Sequence, residues 1–131
     1  MKDKVTHSEK EWREKLSLKR FHILREKGTE QAFSGEFWNH FKLGHYRCAG
    51  CETILFSSDT KFESNCGWPS FSNSLDDVID EKSDTSHEMN RTEVLCKKCG
   101  GHLGHVFEDG PKEMGGLRYC INSLSLKFED K

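Results

Sequence analysis

The chain has 131 residues, a length that predicts a single compact domain over residues 1–131 with one core. Its 20 Lys and Arg residues are mixed along the chain with 22 Asp and Glu residues, which gives a formal net charge of −2. No basic stripe therefore favours a nucleic acid, and no polybasic cluster favours a membrane surface.

The N-terminus, "MKDKVTHSEKEW", lacks the apolar region of a signal peptide, and the chain contains no run of ten apolar residues. We therefore expect a cytoplasmic protein without a membrane segment, whose residues 1–8 are flexible. In a reducing compartment, the six cysteines are better explained as metal ligands or working thiols than as structural disulfides.

The first predicted element covers residues 8–27, which are strongly charged. Apolar side chains at Trp12, Leu16, Ile23 and Leu24 predict one helix, or two short helices, packed by one face. Gly28 follows this segment and is expected to be its C-cap.

The remainder of the chain has the pattern of antiparallel strands joined by turns. Short alternating runs are separated by Gly, Asn, Asp and Ser. The predicted strands are 45–49, 53–58, 77–81, 92–97, 102–107, 117–122 and 125–129. Most of the stretch 74–90 is expected to be an acidic connector at the surface. The predicted fold class is mainly β.

Four cysteines form two pairs with metal-ligand spacing. "CAGC" contains Cys48 and Cys51, and "CKKCGG" contains Cys96 and Cys99. Two such turns together complete a tetrahedral site of four thiolates, which zinc favours and which leaves no open position for catalysis. We predict one structural Zn²⁺ whose binding is coupled to folding. The alternatives are two redox-active motifs or reduced core thiols, although neither pair opens a helix after a strand, the usual context of a redox motif.

A lone cysteine occurs in the stretch "GLRYCINS". On a strand, Arg118, Cys120 and Asn122 project to one side, and the apolar residues between them project to the other. A neighbouring cation favours the thiolate, which is the nucleophilic form of cysteine. The alternative is that Cys120 is a small core residue and Arg118 a surface charge.

The sixth cysteine, Cys66, lies in the Gly- and Pro-containing stretch "NCGWPSF" beside Trp68. A mobile thiol at this place can condense with a sulfenic acid on Cys120 to form a disulfide, which an external dithiol then reduces. Cys66 can also be an incidental loop cysteine, and Trp68 a lid over the core.

Two histidines and an aspartate occur in "GHLGHVFEDGP". Residues i and i+3 of a strand face opposite ways, so we expect at most one of His102 and His105 in any one site. Asp109 follows in the same stretch. The alternative is that each histidine is a structural residue.

The stretches "CAGC", "SNCGWPSF", "CKKCGGHLGHVFEDGP" and "GLRYCINS", in this order, closely resemble the methionine-R-sulfoxide reductase B family from about Trp12 to Phe128. The resemblance implies two antiparallel sheets with short N-terminal helices, held together by the four-cysteine zinc site. It also implies an enzyme that reduces peptidyl methionine-R-sulfoxide in oxidised proteins, and so repairs them.

The resemblance further implies individual roles. Cys120 is the expected nucleophile, and Cys66 the expected resolving thiol, whose presence implies recycling by thioredoxin. His105 is expected to assist protonation of the sulfoxide oxygen. The expected substrate-binding residues are Trp68, which packs on the methyl group, Asn122 near the oxygen, and Arg118 beside the nucleophile.

Some positions carry weaker expectations. His87 and His102 fall near positions where members of this family often have histidine. Glu88 and Glu108 depart from residues common in the family, which are glycine and proline, and they affect the expected shape and charge of the substrate entrance.

Two other functions remain open on the sequence. One is a non-catalytic, zinc-stapled β module that binds a protein partner through the Trp68 loop. The other is a general disulfide reductase, which acts without a sulfoxide. A binding module has no need of two thiols outside the metal site, so Cys66 and Cys120 favour the enzyme, which we expect to be a monomer.

Overall fold

The computed structural model describes residues 8–64, 66–85 and 89–130. The expectations for residues 1–7, His87 and Glu88 lie outside these described residues. Ser8, which was expected to belong to the flexible N-terminus, instead caps a helix: its Oγ accepts a hydrogen bond from the Glu11 N–H, and the Glu11 carboxylate accepts one from the Ser8 N–H at 2.9 Å.

The N-terminal segment forms two short helices, α1 (Glu9–Lys15) and α2 (Leu18–Arg25). Ser17 separates them because its hydroxyl caps α2 at the Arg20 N–H. The four apolar side chains predicted to form one packed face are all buried.

The predicted C-cap at Gly28 is wrong. Helix α2 ends at Arg25, and Lys27 adopts the left-handed conformation with φ 56°. Gly28 has a different role, because a Cβ there would lie 2.3 Å from the His22 ring. The glycine thus gives the chain space to pass α2.

The described residues after α2 contain nine strands, and each of the seven predicted strands overlaps one of them. They are β1 (Gly44–Cys48), β2 (Ile54–Ser57), β3 (Lys61–Phe62), β4 (Ser70–Phe71), β5 (Ile79–Asp84), β6 (Arg91–Cys96), β7 (His102–Phe107), β8 (Arg118–Ile121) and β9 (Leu126–Asp130). Strands β3 and β4 were not predicted because two residues are too few to show alternation.

The strands form two antiparallel sheets, so the predicted fold class is confirmed. One sheet has three strands in the order β2-β1-β9, and the other has six in the order β3-β4-β8-β7-β6-β5. Aromatic contacts join the sheets: Phe71 of β4 stacks on Phe56 of β2 at 4.3 Å between ring centroids and meets Tyr46 of β1 edge-on. These buried rings fix the position of β4, the strand that pairs with β8.

Among the described residues, neither helix has the length and apolar character needed to cross a membrane.

Candidate active site

Three neighbouring strands of the larger sheet bring the candidate residues into one row. Cys120 of β8 lies opposite Ser70 of β4 on one side and opposite His105 of β7 on the other. Gly104 allows β7 to approach closely, because a Cβ at this position would lie 2.0 Å from the Cys120 carbonyl oxygen. The sheet register therefore sets the imidazole beside the thiol.

The two thiols outside the cysteine cluster are neighbours. The Sγ atoms of Cys66 and Cys120 lie 3.6 Å apart. Both residues are half-buried. A small movement thus joins them, since a disulfide requires about 2.05 Å between the sulfurs.

A small pocket opens over Cys120. It has a volume of about 90 Å³ and is lined by Thr29, Trp68, Arg91, Gly104, His105, Phe107, Cys120 and Asn122. One water needs roughly 10–15 Å³ on this scale, so the pocket takes a few heavy atoms, such as the end of one side chain. Four of the predicted site residues line it. Cys66 and Arg118 do not, and Glu108 is exposed outside it.

His105 is held by a buried carboxylate. Its Nε2 lies 2.8 Å from Oδ2 of Asp84, which ends β5, and Arg91 Nη2 lies 3.6 Å from the same oxygen. Because a carboxylate accepts hydrogen bonds, Nε2 carries a hydrogen and donates a hydrogen bond to Asp84. The other ring nitrogen, Nδ1, is therefore the atom left to act on a ligand in the pocket.

His102 lies close to His105, and the expectation that the two rings face opposite ways is wrong. Gly104 pairs with Val94, while His102 pairs with Leu95, so β7 contains one extra residue at this point. Such a bulge reverses the alternation, and the rings meet edge-on at 5.5 Å. Only His105 lines the pocket, as expected for one site.

His102 belongs to a buried polar network next to His105. Its Nδ1 lies 2.8 Å from Oε2 of the buried Glu93, whose other oxygen lies 3.3 Å from Lys27 Nζ. Burial lowers the pKa of His102 and outweighs the opposing effect of Glu93. At neutral pH this histidine is thus uncharged and donates its Nδ1–H to Glu93.

Asn122 and Trp68 are both held by the segment after α2. Asn122 Oδ1 accepts the Glu30 N–H at 3.0 Å, and its Nδ2 donates to the Leu103 carbonyl at 3.0 Å. One Nδ2 hydrogen therefore remains for a ligand. The indole Nε1 of Trp68 donates to the Glu30 carbonyl at 3.0 Å, which fixes the ring as a wall of the pocket.

Arg118 lies at the side of the site. Its guanidinium forms a two-point ion pair with Asp109 at 2.8 and 3.1 Å and covers the Phe107 ring at 4.5 Å from its centroid. Its charge acts on the Cys120 thiol from outside the pocket.

The hydrogen bond between the two thiols links their titration. The hydrogen bond from Cys120 lowers the pKa of Cys66 most, and hydrogen bonds from Ser64 and Ser70 also lower it, so that this pKa falls to about 4. The hydrogen bond to Cys66 and burial raise the pKa of Cys120, and the opposing effect of Arg118 is smaller. Arg118 does lower the pKa of Cys120, as expected from the sequence. While Cys66 is adjacent, however, the effects that raise this pKa are larger, so Arg118 alone does not make Cys120 a thiolate.

The other four cysteines form a second cluster, with all four Sγ atoms within 4.8 Å of one another. Cys48 and Cys99 lie 3.7 Å apart, and Cys51 and Cys96 lie 3.5 Å apart. Tetrahedral ligation with metal–sulfur bonds of about 2.3 Å requires sulfurs roughly 3.8 Å apart, so the thiols fit a metal ion. The Gly50 N–H donates to Cys48 Sγ at 3.3 Å.

Sequence reasoning missed several residues of the site, Arg91 of the pocket wall among them. Asp84 lies in the stretch expected to be a solvated connector. Thr29 and Glu30 lie in a segment without a recognisable pattern. Glu93 carried the one available signal, a charged residue at a buried position of a predicted strand, which calls for a buried partner.

A mainly β fold with a four-cysteine cluster, and a separate thiol pair of which Cys120 lines the pocket, is typical of a thiol oxidoreductase. A model of the SelR domain matches residues 16–130. Proteins named peptide methionine sulfoxide reductase MsrB are similar to nearly the whole chain. That of Bradyrhizobium diazoefficiens is 57% identical over 130 residues, covering 98% of this chain and 93% of that protein. That of Leptospira interrogans is 55% identical over 130 residues, covering 98% of each.

A protein of the same name from Methanosarcina barkeri is 55% identical over 126 residues, covering 95% of this chain and 88% of that protein. The chain therefore belongs to the methionine-R-sulfoxide reductase B family, as its motifs predicted, and it is an oxidoreductase. A crystal structure of the Mis18 "Yippee-like" domain shares the fold alone: the TM-score is 0.55 at 15% identity, over 69% of this chain and 98% of that one.

Proposed function

We propose that this protein reduces peptidyl methionine-R-sulfoxide to methionine in oxidised proteins, with Cys120 as the nucleophile and Cys66 as the resolving thiol. The observation that carries the proposal is the distance of 3.6 Å between the two Sγ atoms, with Cys120 at the pocket and Cys66 behind it. A sulfoxide that enters the pocket meets Cys120 first.

Three side chains orient the substrate. Trp68 offers an apolar wall for the methyl group, since its ring is fixed by Glu30. The free Nδ2 hydrogen of Asn122 and the Nδ1 atom of His105 reach the sulfoxide oxygen from the other walls. Placing the methyl group and the oxygen at separate walls distinguishes one epimer from the other.

The first chemical step transfers oxygen to Cys120. As Cys120 Sγ attacks the sulfoxide sulfur, the Cys120 thiol proton passes to Cys66, and His105, once it carries a proton on Nδ1, supplies that proton to the oxygen. The oxygen passes to Cys120 as hydroxyl: a sulfur–oxygen bond forms on Cys120, both the bond between the methionine sulfur and the oxygen and the transient sulfur–sulfur bond break, and Cys120 becomes a sulfenic acid. Methionine sulfur is reduced by two electrons and Cys120 is oxidised by two.

The second step regenerates the enzyme. Cys66 attacks the Cys120 sulfur, a disulfide forms, and the oxygen leaves as water. Thioredoxin then reduces the disulfide by thiol exchange. The loop that carries Cys66 is the access route for that exchange.

We also propose that the four-cysteine cluster holds one structural Zn²⁺. Four thiolates are a donor set that zinc favours, and the cluster connects the β1–β2 turn to the β6–β7 turn. The closed set leaves catalysis to the chain's own residues.

We infer a single domain over residues 1–131, acting as a monomer in the reducing cytoplasm, where these thiols stay reduced.

The test compares reductants on the wild-type protein and on Cys66→Ser. With a methionine-sulfoxide peptide, wild-type protein should turn over with either dithiothreitol or thioredoxin. Cys66→Ser should turn over with dithiothreitol, because the small thiol reaches the Cys120 sulfenic acid directly. With thioredoxin it should release a single methionine per chain and then stop, because no disulfide forms.

The control is a disulfide substrate without any sulfoxide, which a general disulfide reductase would reduce. Wild-type protein that reduces the disulfide but not the sulfoxide peptide would contradict the proposal. Absence of turnover with both substrates in folded protein would favour the binding module, although the pairing of Cys66 with Cys120 argues against that function.

A further inference from the structure

The resolving thiol lies in a cluster of hydroxyl groups that the reaction described above does not use. Ser64 Oγ donates to Cys66 Sγ at 3.0 Å. Ser64 and Ser70 hydroxyls lie 2.6 Å apart, and Ser70 Oγ lies 3.4 Å from the same sulfur. Cys66 Sγ thus has two hydroxyl neighbours, the Trp68 carbonyl oxygen at 3.4 Å and the Cys120 thiol around it.

The hydroxyl protons can be placed from this geometry. Each hydroxyl has one hydrogen, and Ser64 uses its own on Cys66 Sγ. Ser70 is therefore the donor of the 2.6 Å contact with Ser64, which is shorter than its alternative contact with the Trp68 carbonyl oxygen at 3.3 Å. The short chain of hydrogen bonds then runs from Ser70 to Ser64 to Cys66 Sγ. Both hydrogens of this chain point toward the sulfur, which favours a thiolate, whereas the Trp68 carbonyl oxygen, 3.4 Å from the same sulfur, accepts from the protonated thiol.

One end of this hydroxyl cluster is anchored in the larger sheet. Ser70 is buried and lies on β4, directly opposite Cys120 in the sheet. The aromatic core fixes β4 through Phe71. Ser70 and Ser64 therefore connect Cys66, a loop residue, to the strand that faces the nucleophile.

We propose that Ser64, supported by Ser70, is a positioning residue for the resolving step: its hydroxyl aims Cys66 at Cys120 and stabilises the Cys66 thiolate. This inference rests on the proposed function. In the step itself, the Cys66 thiolate attacks the Cys120 sulfenic acid. The sulfur–sulfur bond forms, the sulfur–oxygen bond breaks, and the leaving hydroxide takes up the proton that Cys66 lost, which gives water.

The test is a single turnover of the full-length, metal-loaded protein with sulfoxide peptide and no reductant. Methionine and the Cys66–Cys120 disulfide are measured separately in rapidly quenched samples. Ser64→Ala should form methionine within about twofold of the wild-type rate, because Ser64 does not line the pocket. Disulfide formation should slow about tenfold, the loss expected for one hydrogen bond to a charged group.

Two further readouts separate positioning from a general structural effect. A sulfenic-acid trap should label Cys120 in Ser64→Ala and not in the wild type, and Ser64→Thr, which keeps the hydroxyl, should restore the disulfide rate. The exposed Ser83 provides the matched control Ser83→Ala, which should behave as wild type.

The pH profile is the most specific readout. Removing the Ser64 donor raises the pKa of Cys66, so the rise of the disulfide rate with pH should move to higher pH in Ser64→Ala. Cys120, Arg118 and Lys61 also act electrostatically on Cys66, and they are the same in all the Ser64 variants.

A Ser64→Ala protein with the wild-type disulfide rate, or a Ser64→Thr protein as slow as Ser64→Ala, would overturn this inference while leaving the proposed function intact. If the wild-type protein forms no methionine, the proposed function fails instead.

Discussion

Replacing Cys120 by serine should reduce methionine formation at least about a thousandfold, the scale of loss when a covalent nucleophile is removed. A serine hydroxyl at this position is a far weaker nucleophile than a thiol, and neither Arg118 nor His105 can ionise it at neutral pH. The measurement is the rate of methionine release from a sulfoxide peptide with excess dithiothreitol, which removes any dependence on Cys66.

The matched control for this variant is Cys66→Ser, the same substitution 3.6 Å away. In that variant Cys120 loses the neighbour that raises its pKa most, while Arg118 remains. Turnover with dithiothreitol should therefore persist. Activity of Cys120→Ser within tenfold of Cys66→Ser would move the nucleophile elsewhere.

Removing the metal should unfold the protein. Structural zinc sites contribute roughly 10–16 kcal/mol of binding free energy, which equals or exceeds the roughly 5–15 kcal/mol by which most domains are stable. The cluster fixes the turn after β1 to the turn after β6, and helix α2 is tied to the same place by the bond from Arg25 to the Cys99 carbonyl at 2.9 Å. A strong chelator, or Cys99→Ser, should abolish the cooperative thermal transition.

This transition is followed by circular dichroism together with the bound metal content. Cys66→Ser is again the control, because it removes a thiol outside the cluster and should bind one zinc and melt at the wild-type temperature. Chelated, metal-free protein that melts cooperatively at the wild-type temperature would show that the cluster is not a folding determinant.

The cysteines and their neighbours were predictable because their signals are local. The spacing of Cys48 with Cys51, and of Cys96 with Cys99, already limits each pair to one metal. Alternation along β8 correctly separated the buried Tyr119 from Cys120. Cysteine spacing and strand alternation act through the local backbone geometry, so the positions predicted from them agree with the folded protein.

The supporting residues were not predictable because their partners are distant in the chain. Asp84 and His105 are 21 positions apart, and Glu30 and Asn122 are 92 apart. The bulge in β7 also depends on the register with β6, which strand alternation alone does not contain. The packing of several strands therefore determines which polar side chains become buried together.

The most direct test of the central claim is the reduction of separated R and S epimers of a methionine-sulfoxide peptide by metal-loaded protein with excess dithiothreitol. Methionine is expected from the R epimer only, because in the proposed binding mode Trp68 takes the methyl group, and Asn122 and His105 take the oxygen at a different wall. Equal reduction of both epimers, or reduction of the S epimer alone, would contradict it.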